Sequence, residues 1–148
     1  VMLGYFRQPE LTEAVIDKDG YLNTGDIVSV NSKQEMVVQG RTKELIIRSG
    51  FNVYPPEIEA ALNTHPAVLN SAVVGRSIEG NEEIAAFVEP VPGCHIEIDT
   101  LFALLDEQLA RYKKPQKIIV MSQLPVAPNG KIRKNDLKKY AEALPSFA

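Results

Sequence analysis

Apolar and polar positions follow two rhythms along this chain, and the rhythm changes near Gly40. Before that point, residues 27–30 and 36–38 are short β-prone runs. Asn31-Ser32-Lys33-Gln34 separates them as a hairpin loop. A lone two-stranded hairpin is marginal in water, so this front section is expected to lean on something outside itself. Residues 1–26 read as irregular, with one helical turn starting at Pro9 and a reversal at Asp17-Lys18-Asp19-Gly20.

After Gly40 the pattern predicts strand, helix, strand, strand, helix, strand, loop, helix. Leu45-Ile46-Ile47 is the first strand. Pro55-Pro56-Glu57 opens a helix, because proline fixes φ at the first position and glutamate suits the positive dipole end. Ile58, Ala61 and Leu62 form its apolar stripe, and His65-Pro66 stops it. His65 has no acid or nucleophile near it in sequence, so a helix-end role is expected. Residues 68–75 and 82–88 are strands, with 76–81 as the connecting loop. Asp99 is expected to cap a second helix with Leu101, Leu104, Leu105 and Leu109 on one face. Lys113-Lys114-Pro115 ends it, which puts Arg111, Lys113 and Lys114 on a solvated face at the negative dipole end. Residues 117–121 form a third strand and 124–130 a proline- and glycine-bearing loop. Residues 133–144 form a last helix with Leu137, Tyr140, Ala141 and Leu144 inward. The fold class is therefore α+β: a small domain of about a hundred residues with a three-stranded sheet flanked by helices, plus a short two-stranded ribbon.

Composition narrows the functional classes. The chain has 148 residues, 45% of them hydrophobic and 24% charged, the balance of an ordinary globular protein. A net charge of −3 gives no general attraction to nucleic acid. The apolar runs are too short to span a bilayer. Cys94 is the only cysteine, so no internal disulfide forms and a reducing, cytoplasmic compartment is expected. The chain begins at Val1 inside what reads as ongoing structure, and more sequence is expected upstream.

Four segments carry candidate chemistry, and each taken alone is read first as local structure. In Gly20-Tyr21-Leu22-Asn23-Thr24-Gly25-Asp26, the Asp26 carboxylate offers two oxygens to a ribose diol, or bonds its own backbone in a turn. Arg41, with Lys43 and Glu44, offers a planar fork for hydroxyls or phosphates, or a local ion pair at a strand entry. In Arg48-Ser49-Gly50-Phe51-Asn52, Gly50 lets the backbone approach a ligand, or makes a tight turn between strand and helix. Pro125-Val126-Ala127-Pro128-Asn129-Gly130-Lys131 is a rigid loop presenting one lysine to a phosphate or carboxylate, or an exposed lysine before a helix. No metal-ligand cluster is expected.

The order and spacing of these segments say more than any one of them. Tyr-Leu-Asn-Thr-Gly-Asp, Gly-Arg-Thr-Lys-Glu, Ser-Gly-Phe-Asn-Val-Tyr-Pro-Pro-Glu-Ile-Glu and Asn-Gly-Lys resemble, over essentially the whole chain, the C-terminal part of the adenylate-forming superfamily. That superfamily holds acyl-CoA synthetases (the AMP-dependent synthetases and ligases), peptide-synthetase adenylation domains and luciferases. The wording around Ser49 is most like fatty acyl-CoA ligases. The resemblance implies a ligase of fatty acid metabolism. ATP, with Mg, activates a carboxylic acid as an acyl-adenylate, and coenzyme A then takes the acyl group. It implies that Asp26 holds the ribose hydroxyls with help from Arg41, and that Lys43 is the hinge of domain alternation. Ser49 and Gly50 would lie beside the pantetheine channel, and Lys131 would bridge the α-phosphate and the substrate carboxylate.

It also implies a division of the chain. Residues 1–40 would be the β-hairpin end of a large N-terminal domain, 41–44 the hinge, and 45–148 a mobile lid. The phosphate-gripping loop and the acyl pocket belong to that N-terminal domain, the chief partner, which would also bind most of the ATP and Mg. The chain alone is therefore expected to be inactive. Two other readings stand beside this one: a peptide-synthetase adenylation fragment and a non-catalytic binding module. The absence of a carrier-like segment after the last helix favours free coenzyme A over a carrier protein.

Overall fold

Period-2 alternation, buried on both sides, builds the main sheet. β5 (Val68–Ile78), β6 (Asn81–Pro90) and β7 (Lys117–Val120) lie in the order β5-β6-β7. The elements before them are α1 (Pro9–Glu13), β1 (Asp26–Val30), β2 (Met36–Arg41), β3 (Ile46–Arg48), β4 (Phe51–Val53) and α2 (Pro55–Leu62). α3 (Ile98–Gln108) joins β6 to β7, and α4 (Lys134–Ala143) closes the chain. The computed structural model describes residues 2–145 and 147. It divides into two units, Val1–Lys43 and Glu44–Ala148.

In the larger unit β5 and β6 pair antiparallel and β6 and β7 parallel. A parallel pair needs a long crossover, which α3 supplies. Val73, Ile84, Ala86 and Val88 face one side and meet Ile58 and Leu62 of α2 and Leu101 and Leu105 of α3. Ala72, Val74, Ala85 and Phe87 face the other and meet Leu137 and Ala141 of α4, with Leu124. Each fully buried Leu or Ile in these clusters contributes about 1.5–3 kcal/mol of transfer free energy. β3 and β4 form the short two-stranded ribbon. Its Ile46 and Val53 are buried with the α2–α3 side of the core.

The smaller unit has almost no interior. β1 and β2 pair antiparallel with an irregularity at Ile27/Val28, and Gly40 is the only buried residue among its described residues. Val28, Val30, Met36, Val37 and Val38 are all exposed. Its turns are closed by side chains instead. Asn31 Oδ1 accepts from the Lys33 and Glu35 amides, and Asp17 Oδ1 from those of Asp19 and Tyr21.

Several expected details need correction. The 76–81 loop is a two-residue turn, because the strands run on to Ile78 and restart at Asn81. Arg76 stands opposite Glu83, and opposite charges facing each other suit a strand pair as well as a loop. Asp99 is not the cap of α3. Glu97 holds that position without a side-chain bond, and Asp99 sits in the first turn, where its charge still suits the dipole. α3 ends at Gln108, short of Lys113, and a 3-10 turn at Arg111–Lys113 follows. Of the cations there, Arg111 is exposed as expected, but Lys113 and Lys114 are half-buried and paired. Lys113 Nζ bonds Glu57 at 2.5 and 2.8 Å, and Lys114 pairs with Asp106. The Glu57 bond raises the pKa of Lys113 above the ordinary lysine value, against a smaller opposing effect of burial. Tyr140 is exposed rather than inward, with its ring edge-on to Phe87 at 5.9 Å. Leu104 and Leu144 are only half-buried. His65 does serve the end of α2, its Nδ1 accepting from the Ala67 amide at 3.2 Å.

Candidate functional site

In the smaller unit, Asn23-Thr24-Gly25-Asp26 forms a turn welded to the end of β2. Asn23 Oδ1 accepts from the Gly25 amide at 2.9 Å and Thr24 Oγ1 from that of Asp26 at 3.2 Å. Gly25 adopts φ +74°, and its carbonyl accepts both the amide and the hydroxyl of Thr42, at 2.8 and 3.1 Å. Asp26 and Arg41 are cross-strand partners, with Arg41 Nε 3.2 Å from Asp26 Oδ1. The Asp26 side chain thus meets Arg41 rather than its own backbone, and two sequence candidates become one carboxylate–guanidinium pair. The pair is largely exposed and contributes little to stability. Its oxygens and N–H groups are the right chemistry for a diol or a phosphate.

A 3-10 turn, Thr42–Glu44, then carries the chain onward. Lys43 is exposed on it. Glu44 makes no local pair with Arg41 or Lys43. Its Oε2 lies 2.7 Å from Nζ of Lys134, at the start of α4. Lys134 Nζ also lies 2.8 Å from Glu59 Oε1 on α2, and Glu59 Oε1 in turn accepts the Val73 amide at 2.8 Å. Burial pulls the Lys134 pKa down. Glu59 and Glu44 outweigh it and leave the ammonium above the ordinary lysine value.

Ser49 and Gly50 form the turn between β3 and β4, not between strand and helix as expected. Both have positive φ, +50° and +81°, the signature of a type I′ hairpin turn. Glycine takes this conformation freely, whereas serine must be held there. Asn81, from the β5–β6 turn, holds it. Its Oδ1 accepts the Ser49 amide at 2.7 Å and its Nδ2 donates to Ser49 Oγ at 3.4 Å. Arg48 braces the other side by donating to the Tyr112 and Lys114 carbonyls at 3.1 and 2.7 Å. Burial lowers its pKa, with Arg111 adding to that and Glu83 opposing it. Phe51 stacks on Tyr112 at 4.7 Å. Around Gly50 the space where a Cβ would stand is open.

Lys131 sits on a closed loop. The Ala127 amide donates to the Lys131 carbonyl, the Gly130 amide to Ala127 and the Arg133 amide to Pro125, each at 2.8 Å. Val126 and Ile132 form a bridge, and Asn129 Oδ1 accepts the Lys131 amide at 3.2 Å. Lys131 itself is exposed. Its neighbours Arg133 and Lys134 are paired with carboxylates, while none among the described residues pairs with Lys131. The loop therefore presents one unneutralised ammonium from a stiff base.

Sequence reasoning missed Asn81, Glu59, Glu82 and Lys134. Glu82 Oε2 accepts the Ile47 amide at 2.6 Å and ties the ribbon to the main sheet. All four act across long sequence separations, and no local pattern marks them. Among the described residues no three His, Cys, Asp or Glu side chains converge on a metal position, and no helix is long and apolar enough to cross a membrane.

Comparison with known proteins places the chain among relatives. The chain is 42% identical to 4-coumarate–CoA ligase 5 of Oryza sativa subsp. japonica, over 99% of this chain and 28% of that protein. It is 38% identical to the mitochondrial medium-chain acyl-CoA ligase of Danio rerio, over 96% of this chain and 24% of that protein. Among solved structures it resembles ATP-bound MatB from Rhodopseudomonas palustris, with a TM-score of 0.85 and 36% identity, over 97% of this chain and 29% of that one. The chain thus spans about a quarter of the length of the curated relatives it matches. Residues 57–131, about half the chain, match the family described as AMP-binding enzyme C-terminal domain, and the chain belongs to that family.

Proposed function

We propose that this chain is the C-terminal part of an AMP-forming acid–thiol ligase, one that activates a carboxylic acid with ATP and passes the acyl group to coenzyme A. Residues 1–40 belong to the end of the large domain, 41–44 are the hinge, and 45–148 are the lid. The observation that carries this reading is the unpaired Lys131 on a loop braced by four backbone or side-chain bonds. Attack of a carboxylate on a phosphate brings anions together, so the first step needs charge neutralisation and alignment more than proton transfer. Lys131 would supply a positive charge between the two. The carboxylate oxygen attacks the α-phosphorus, the bond to the β-phosphate oxygen breaks, and pyrophosphate leaves. Asp26 would accept from the ribose hydroxyls, with Arg41 beside it.

The second step has different demands. The thiol of coenzyme A attacks the acyl carbon and AMP leaves, so Lys131 must withdraw and a thiol must enter. Turning at Lys43 does this. The exposed β3–β4 turn, with no side chain at Gly50, would then flank the pantetheine arm. Mg would sit with the ATP phosphates, bound mainly by the large N-terminal domain. The relatives are named for different acids, 4-coumarate and medium-chain acyl groups. We assign a fatty acid on the wording around Ser49, and a cytoplasmic location on the single cysteine. The chain alone makes no acyl-CoA, because the acyl pocket and phosphate loop lie in the large domain.

The test uses the full-length ligase. Lys131→Ala is expected to abolish acyl-adenylate formation, followed by pyrophosphate release, and to spare thioester formation from supplied acyl-adenylate. Equal loss in both half-reactions would remove Lys131 from this role.

A further inference from the structure

We infer that Glu44 and Lys134 form a clamp joining the lid side of the hinge to the base of the Lys131 loop, so that both are positioning residues for Lys131 in adenylate formation. This rests on the roles given above to Lys43 and Lys131.

Three observations carry it. First, Glu44 is the residue immediately after Lys43 and the first of the larger unit. Its carboxylate bonds Lys134, ninety positions away in sequence, at 2.7 Å. Second, Lys134 is fixed independently of Glu44. Its second partner, Glu59 on α2, is anchored by the Val73 amide of the main sheet. The ammonium is thus a fixed post, and Glu44 is the group that the post holds. Third, the chain from Lys131 to Lys134 has no slack. The Arg133 amide is bonded to Pro125 and Ile132 is bridged to Val126. Ile132 is also packed against the α4 side of the core.

The consequence is mechanical. A rotation at Lys43 reaches Glu44, passes through the ion pair to Lys134, and moves the Lys131 loop as one piece. Without the pair, the 3-10 turn would absorb part of the rotation and Lys131 would arrive out of place. A mostly buried ion pair adds little net stability over an apolar substitute, and fixing register is its best-supported use. The side chains of Lys134 and Glu44 are 24% and 35% exposed, dry enough for the pair to resist salt.

The comparison of Glu44 with Glu59 provides the test, since both bind the same ammonium. In the full-length ligase, Glu44→Gln and Lys134→Met are expected to lower the kcat of acyl-adenylate formation roughly tenfold, because misplacing a reacting group costs up to ~10²-fold. KM for ATP, and thioester formation from supplied acyl-adenylate, are expected to stay within about twofold. Glu59→Gln, whose amide oxygen can still accept the Val73 amide, is expected to lower the melting temperature and to shift the ratio of the two half-reaction rates less than Glu44→Gln does. Lys134→Arg, which keeps the charge, is expected to restore most of the adenylation rate. The clamp is refuted if Glu44→Gln, folded by its melting curve, leaves that ratio at the wild-type value. It is also refuted if Glu59→Gln shifts the ratio as much. Lys131→Ala run in parallel separates this from the underlying reading. If Lys131→Ala shows no selective loss of adenylation, both fail. If it does and Glu44→Gln does not, only the clamp fails.

Discussion

At the residue scale, Lys134 shows how a charge can be kept inside a small domain. Two carboxylates flank one ammonium at 2.7 and 2.8 Å, and one of them is itself held by a backbone amide. Removing the cation leaves both carboxylates partly buried and uncompensated. Lys134→Met is therefore expected to destabilise the domain by about 1–3 kcal/mol at neutral pH, discounted from the fully buried case because Glu44 is partly exposed. The sign of the pH dependence follows from the pKa. Lys134 is raised above the ordinary lysine value, so its contribution is fully present below about pH 10.4 and is lost as pH rises through the raised value. Urea midpoints of wild type and variant, measured at stepped pH, should stay apart through neutrality and converge only in strong alkali. Convergence already at pH 8 would contradict the raised pKa. None of this was legible in the sequence. Arg41, Lys43 and Glu44 read as one local charge cluster, yet Arg41 turns back to Asp26 while Glu44 reaches forward to α4.

At the element scale, the sequence was most readable where one period dominated. Ile58, Ala61 and Leu62 give α2 its stripe, and the alternation at 84–88 gives β6 its two faces. It was least readable where a polar run is extended by pairing across a ladder, as at Arg76 and Glu83, or where a turn is held from a distance, as Asn81 holds Ser49. Of the candidate site, the sequence singled out Asp26, Arg41, Lys43, the Ser49-Gly50 turn and Lys131, but not the groups that brace them. Those braces act through tertiary bonds, which period and spacing do not encode. α4 is the element on which this matters most, since it carries the base of the Lys131 loop. It is anchored mainly by Leu137 and Ala141 against Ala72, Val74, Ala85 and Phe87. Leu137→Ala is expected to cost 2–5 kcal/mol, roughly the range for a fully buried leucine. Denaturant unfolding measures it, and a loss under about 1 kcal/mol would mean that α4 is held chiefly by its charges instead.

At the scale of the whole molecule, the two units differ in kind. Both buried clusters are drawn entirely from residues beyond Glu44, whereas Val1–Lys43 has one buried glycine among its described residues and a hairpin with five exposed Val or Met side chains. A hairpin without a core does not persist alone, while a domain of about a hundred residues with sheet and helices on both sides does. Residues 44–148 expressed alone should therefore unfold in one cooperative transition. The midpoint should lie within about 4 °C of the 148-residue chain, a shift equivalent to no more than ~1 kcal/mol for a domain of this size. Residues 1–43 alone should give no cooperative transition and little amide protection. Circular dichroism melts and hydrogen exchange on the two pieces decide this. If 44–148 lost its cooperative transition, the front section would be part of the larger unit's own fold. The division at Lys43, and with it the hinge proposed there, would then have to move elsewhere.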